Sequence, residues 1–317
     1  MAKTLALIIV FISLFFLSSP TTSSIFSSTI DFWCNKTPHP QTCKHFALIN
    51  HEPLQDAIPK TAFQFKNLIL RIAMHQSVEA QMQIMWLGTK CRSKQEKTAW
   101  SNCITLYQDT INLLNQALNP TKPSTIYDLQ TWLSTALTNI DTCQTGFHEL
   151  GVVNNVLPLI PNKNISEIIS DFLALNNASS SFIPPKTNKN GFPRWLSPTD
   201  RKLLESPPSV SPDVVVAKDG SGNFVTIKEA LKVVPKMSEK RFVIYVKRGV
   251  YNENIEIENS MKNVMLYGDG IRLTIISGSR SVGGGSTTFD SATVGRSFFK
   301  NKYIYIYIYI YIYYKDI

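Results

Sequence analysis

The sequence predicts a two-domain α plus β protein: an N-terminal all-α four-helix bundle, then the start of a right-handed parallel β-helix that remains incomplete. Three observations carry that reading. Apolar residues recur at helical spacing through residues 61–175, a stretch rich in Ser, Asn, Pro and Lys runs from 176 to 212, and short β-branched and aromatic runs separated by Gly turns follow. A chain of 317 residues with 44% hydrophobic side chains is long enough and apolar enough to give each of two domains a core, which excludes a disordered protein.

The first 24 residues read as a secretory signal peptide. Lys3 gives a positive start, LALIIVFISLFFL (5–17) is an apolar run, and small polar residues follow to Ser24. A membrane span needs roughly 20 apolar residues, so the run is short for a retained anchor. A secreted chain then folds in an oxidising compartment, where disulfides persist.

Residues 25–178 carry the helical pattern. The first helix is expected over 61–87, with Phe65, Leu68, Ile69, Ile72, Met82, Met85 and Trp86 as a core-filling stripe and Gly88 as its stop. The second fits 98–118, where Trp100, Cys103, Ile104, Tyr107, Ile111 and Leu114 share one side and Pro120 and Pro123 end it. A third runs over 124–150 with Ser124 as cap, and a fourth over 166–175 with Ser166 as cap. Four helices with short connections imply an up-and-down bundle.

Five cysteines, Cys34, Cys43, Cys91, Cys103 and Cys143, leave at least one outside intramolecular pairing. Cys103 and Cys143 sit on successive helices that antiparallel packing can bring together. Cys34 and Cys43 enclose NKTPHPQT, where Pro38 and Pro40 force a non-helical turn that a local bridge can close. Cys91 is then either a buried thiol or free for intermolecular pairing. No spacing suits zinc, so neither a metal nor a cofactor is expected. Sequons at Asn35, Asn164 and Asn177 agree with secretion.

The interdomain linker, 179–211, contains the basic tetrad Arg201, Lys202, Leu203 and Leu204, either a processing site or a solvated charge pair. Strands follow in VVVAKDGSGNF, RFVIYVKRGVY, NVMLYGDG and LTIISGS. Their roughly ten-residue spacing suggests stacked parallel coils. Gly220 and Gly222 lack the Lys-Ser/Thr of a phosphate loop and read as a tight turn. The net charge of +9 is spread along the chain without a dense basic run, which argues against nucleic acid. It is either attraction to an extracellular polyanion or ordinary solubility charge.

With these segments in place, the chain resembles plant pectin methylesterase precursors that carry an inhibitor-like pro-domain. CNKTPHPQTC, CITLYQDTINLLNQAL and WLSTALTNIDTCQTGF resemble the inhibitor domain, and FPRWLSPTDRKLL resembles the linker with its processing tetrad. VVVAKDGSGNFVTIKEAL, YVKRGVYNENIEI, MLYGDGIRLTIISGS and STTFDSAT follow the opening of the esterase domain in order, over 212–293. The resemblance implies bridges Cys34–Cys43 and Cys103–Cys143 with Cys91 as an extra. It further implies cleavage after Leu204 by a subtilisin-like protease, secretion to the cell wall, pectin (methyl-esterified homogalacturonan) as substrate, and Thr288 as a substrate-contacting residue. A pectinesterase is implied as a partner of the helical domain.

The pattern departs from the family after Val294. Family enzymes use a nucleophilic Asp, a second Asp as acid/base, Gln side chains as an oxyanion hole and a positioning Arg, all in segments beyond the TTFDSAT position. Here GRSFFKNK and a Tyr-Ile alternation over 303–313 follow instead, so no catalytic residue is assigned and a C-terminally truncated, inactive product is expected. The tail, 294–317, reads as the translation of a TA-rich tract or as an edge strand prone to aggregation. The alternative is an active precursor whose reading frame is misassembled.

Overall fold

The structure, a computed structural model, describes residues 21–49, 59–120, 124–177, 211–258, 260–270, 272–296, 305–306 and 311–314. The apolar run at 5–17 and the tetrad at 201–204 lie outside them.

Six α-helices are present among the described residues up to 177: α1 (Thr21–Cys34), α2 (Pro40–Ile49), α3 (Ala62–Leu87), α4 (Lys94–Leu118), α5 (Ile126–Glu149) and α6 (Asn162–Asn177). The two extra helices are α1 and α2. α1 begins at Thr21, inside the tract expected to end a signal peptide at 24. The expected turn at NKTPHPQT is confined to 35–39, because Pro40 opens α2, where a missing N–H costs nothing.

The helix starts follow caps. α3 begins after Thr61, whose hydroxyl accepts from the Gln64 N–H at 3.2 Å while Gln64 Oε1 accepts from the Thr61 N–H at 3.2 Å. α4 begins four residues before the expected start at 98. Ser93 Oγ accepts from Glu96 N at 3.0 Å, and Glu96 Oε2 accepts from the N–H groups of Arg92 and Ser93. For α5 the cap is Thr125 rather than Ser124, in a reciprocal pair with Asp128. α6 starts at Asn162, a turn ahead of Ser166, directly after Pro161.

The stripe on α3 also differs from expectation. Phe65, Leu68, Ile69 and Ile72 are buried, but Met82, Met85 and Trp86 are 53%, 59% and 79% exposed. Ile84 and Leu87 carry the buried face to the helix end, and at about 100° per residue positions 82, 85 and 86 lie more than a quarter of a turn away.

By density of contacts the chain divides into two units, one of residues 1–83, 110–140 and 161–181, the other of residues 84–109, 141–160 and 182–317. In the first, the Cys34–Cys43 disulfide closes the α1–α2 hairpin, and Asp171 on α6 accepts from the backbone N–H of His39 at 2.9 Å and lies 3.1 Å from its Nδ1. Trp33 stacks on Phe65 with centroids 5.7 Å apart.

The second unit contains the Cys103–Cys143 disulfide and every strand. The strands are β1 (Val214–Val216), β2 (Phe242–Val246), β3 (Gly249–Asn252), β4 (Ile255–Ile257), β5 (Val264–Gly268), β6 (Thr274–Gly278), β7 (Val294–Arg296), β8 (Tyr305–Ile306) and β9 (Tyr311–Tyr314). They pair in parallel as β1-β2-β5-β8, β3-β6-β9 and β4-β7, so each successive pass adds one rung to each sheet. RFVIYVKRGVY, expected as one strand, splits into β2 and β3 around Lys247 and Arg248. Within the Tyr-Ile tract the described residues Tyr305–Ile306 and Tyr311–Tyr314 pair with β5 and β6.

Alternation places Ile244, Val246, Leu266, Tyr251, Ile255, Ile257 and Ile276 in one core with Met261 and Val264. Among the described residues two short helices join this unit, α7 (Ile227–Lys232) and α8 (Thr288–Ser291). Thr226 caps α7, and the Glu253 carboxylate accepts from the N–H groups of Ile227 and Lys228 at 3.0 and 3.1 Å. The Gly220–Gly222 segment forms a turn. Gly220 has φ +77°, and a Cβ on Gly222 would come within 2.6 Å of the Val215 carbonyl oxygen.

Candidate functional site

Thr288, the one residue expected to contact substrate, is the first residue of α8. Thr287 caps this helix: its hydroxyl accepts from Asp290 N at 3.2 Å. The cap frees the Thr288 N–H, which donates to Glu149 Oε2 at 2.8 Å while the Thr288 hydroxyl donates to Glu149 Oε1 at 2.5 Å. Glu149 is the last residue of α5. One carboxylate thus takes both donors of Thr288.

Asn102 on α4 completes the cluster. Its Nδ2 donates to Thr287 Oγ1 at 2.7 Å and to Asp290 Oδ2 at 2.8 Å. Gly146 allows the approach, since a Cβ there would lie 3.2 Å from the Thr287 methyl. Arg280 donates to the Asp290 carbonyl at 3.3 Å. The Cys103–Cys143 bridge stands one residue after Asn102 and three before Gly146, so it fixes the spacing of the helices that hold Asn102 and Glu149. All of these residues belong to the second unit.

This arrangement holds and orients Thr288. The Asp290 carboxylate accepts from Asn102 Nδ2, and the Glu149 carboxylate accepts from the Thr288 hydroxyl. Asn102 and Glu149 were not legible as site residues, because both come from helices far from Thr288 in sequence.

A second polar group lies on the sheet. Tyr245 and Tyr267 are in register on β2 and β5 and stack with centroids 5.0 Å apart. The Tyr245 hydroxyl makes a short hydrogen bond to Asp269 Oδ1, and Asp269 Oδ2 accepts from Arg248 N at 2.5 Å. That bond to Asp269 is the main cause pushing the Tyr245 phenol up to about 12. A depression beside α7 is lined by Phe224, Val225, Glu229 and Lys232.

Of the remaining expected residues, Cys34–Cys43 and Cys103–Cys143 are bonded, and Cys91 is a half-buried free thiol whose pKa burial raises. Asn35 and Asn164 are exposed, and Asn177 ends α6. Among the described residues no group of three or more His, Cys, Asp or Glu could hold a metal ion, and no helix is long and apolar enough to cross a membrane.

Comparison with known proteins agrees with the two-part pattern. Residues 28–175 match the family model for plant invertase/pectin methylesterase inhibitors, and residues 213–306 match the pectinesterase model. The chain is 47% identical over 291 residues to a probable pectinesterase/pectinesterase inhibitor 17 of Arabidopsis thaliana, covering 91% of this chain and 54% of that protein. It is 44% identical over 288 residues to pectinesterase 2 of Citrus sinensis, covering 90% and 54%. Among solved structures, a pectin methylesterase from carrot aligns over 28% of each chain at 49% identity and a TM-score of 0.27. The chain spans about half the length of the curated relatives it matches. With an inhibitor-type segment ahead of a pectinesterase-type segment in one polypeptide, the chain belongs to the plant pectinesterase/pectinesterase-inhibitor family.

Proposed function

We propose that the chain works in the plant cell wall as a secreted, pectin-directed protein whose inhibitor-like helices bind a pectinesterase. The observation that carries this reading is the match of residues 28–175 to the inhibitor family on helices closed by two disulfides. On this reading the helices act as a four-helix bundle with an N-terminal hairpin, and 212 onward opens a right-handed parallel β-helix directed at methyl-esterified homogalacturonan. A subtilisin-like protease separates the two at Arg201-Lys202-Leu203-Leu204. Thr288 is the pectin-contacting residue, and Glu149 occupies its donors in the unprocessed chain.

The test is methanol release from pectin by an active plant pectinesterase, with and without the purified 317-residue chain. Dose-dependent slowing at micromolar protein is expected, and an unchanged rate would refute the reading. A second reading, ester hydrolysis by the chain itself, is favoured by the pectinesterase match over 213–306. Methanol release by the chain alone decides for it.

A further inference from the structure

A second surface, apart from Thr288, lies where α3 gives way to α4. Trp86 is 79% exposed and Met85 59%, an unusual position for two large apolar side chains. Next along the chain, Lys90, Arg92, Lys94 and Lys97 are all exposed. Glu96 is the sole carboxylate between Trp86 and Gln108; it is buried and accepts from the N–H groups of Arg92 and Ser93. The local positive charge therefore stands uncompensated by its own segment.

The backbone under these residues is firmly held. The Trp100 indole N–H donates to the Ile84 carbonyl at 2.7 Å, the Thr89 hydroxyl to the Trp86 carbonyl at 3.0 Å, and Asn155 Nδ2 to the Lys90 carbonyl at 2.8 Å. A turn fixed in this way presents Trp86 and the four cations on backbone that need not be ordered on binding.

We propose that this surface docks an acidic polysaccharide, with Trp86 stacking on a sugar ring and Lys90, Arg92, Lys94 and Lys97 meeting ionised carboxylates. The occupant follows from charge complementarity: a flat aromatic face takes the apolar face of a sugar, and clustered cations select a polyanion. The identity of the polymer as a polyuronate rests on the pectin reading above, since ester removal from pectin exposes the carboxylates that these cations select. The helical part then tethers the chain to de-esterified pectin.

Titrating the full chain with a de-esterified oligogalacturonide at low salt, by calorimetry and tryptophan fluorescence, tests this. Binding should weaken about tenfold in Trp86→Ala, the order of one aromatic stacking contact, and at least ~tenfold in Lys90→Gln/Arg92→Gln/Lys94→Gln/Lys97→Gln. Lys163→Gln, an exposed lysine outside both this surface and the pectin-directed segment, should leave binding unchanged, and full methyl esterification of the ligand should abolish it. These exposed substitutions are checked for helix content by circular dichroism. No binding by the wild type, equal binding by all variants, or equal binding of a sulfated polyanion by wild type and Trp86→Ala would overturn the assignment. Concentration-dependent dimerisation lost in Trp86→Ala would assign the surface to a second copy instead. Pectinesterase inhibition without oligogalacturonide binding overturns this surface alone; binding without inhibition overturns only the proposed partner.

Discussion

Removing the two disulfides one at a time should separate loop entropy from packing. Cys34–Cys43 closes a sequence separation of 9 and Cys103–Cys143 one of 40. Chain-entropy scaling gives about 2.6 kcal/mol for the short loop and about 3.9 kcal/mol for the long one at 25 °C. All four sulfurs belong to buried residues, with relative exposures of 0 or 1%, so the packing lost on truncation to Ala is similar and cancels in the comparison. Cys34→Ala/Cys43→Ala and Cys103→Ala/Cys143→Ala are the variants to use, because paired replacement leaves Cys91 no thiol to recapture. Urea unfolding followed by helical circular dichroism should show the long-loop variant losing about 1.5 times as much stability as the short-loop variant. An equal or larger loss for the short loop would refute the entropic account and assign the stabilisation to local contacts in the hairpin.

Gly88→Ala should destabilise by about 1–3 kcal/mol, because a Cβ there would sit 2.4 Å from the Trp100 ring, and urea midpoints measure it. Thr288→Val combined with Glu149→Ala in a double-mutant cycle should give a coupling of about 0.5–1.5 kcal/mol, and additivity would remove the contact from the folded state. Burial raises the Asp171 carboxyl above its ordinary value, with the His39 hydrogen bonds opposing. The fold therefore favours its proton, so its contribution to stability is complete below the ordinary Asp value and declines as pH rises through the raised one. The thermal midpoint of Asp171→Asn relative to the wild type should therefore improve as pH rises above about 4, and a difference that does not change with pH would refute the assignment. Phenol absorbance in alkali should show several late-titrating tyrosines, Tyr107 raised by burial and Tyr245 held up to about 12 by Asp269 among them, and Asp269→Asn should move the Tyr245 step to lower pH while leaving the Tyr107 step in place.

The helices α3 to α6 were legible because apolar spacing reports a buried face directly. Their starts were less so. Ser93-Lys-Gln-Glu96 is a capping-box pattern that places the start of α4 at Lys94, and the periodicity that suggested 98 overlooked it. α1 was hidden because its first turn, 21–24, falls in the polar end assigned to a signal peptide, and α2 by prolines that forbid a helix interior but suit its first turn. On α3 the apolar identity of Met82, Met85 and Trp86 misled, because hydrophobicity alone does not say which side of a long helix is covered. Thr288 was reached only through resemblance. Its partner Glu149 lies 139 positions away and Asn102 lies 185 from its own partner Thr287, both on helices whose spacing signals packing, and no local pattern marks them.

The parallel registers sort the chain into places where its length is free and places where it is not. Phe242 to Val246 pair one for one with Val264 to Gly268, with Ile244 and Val246 inside and Tyr245 outside. A residue deleted there would exchange the two sets, turning an aromatic outward rung into the core and aliphatic side chains into water. The turn between β6 and α8 carries no such parity, so variation in length among related chains should collect in 279–286 and avoid the rungs.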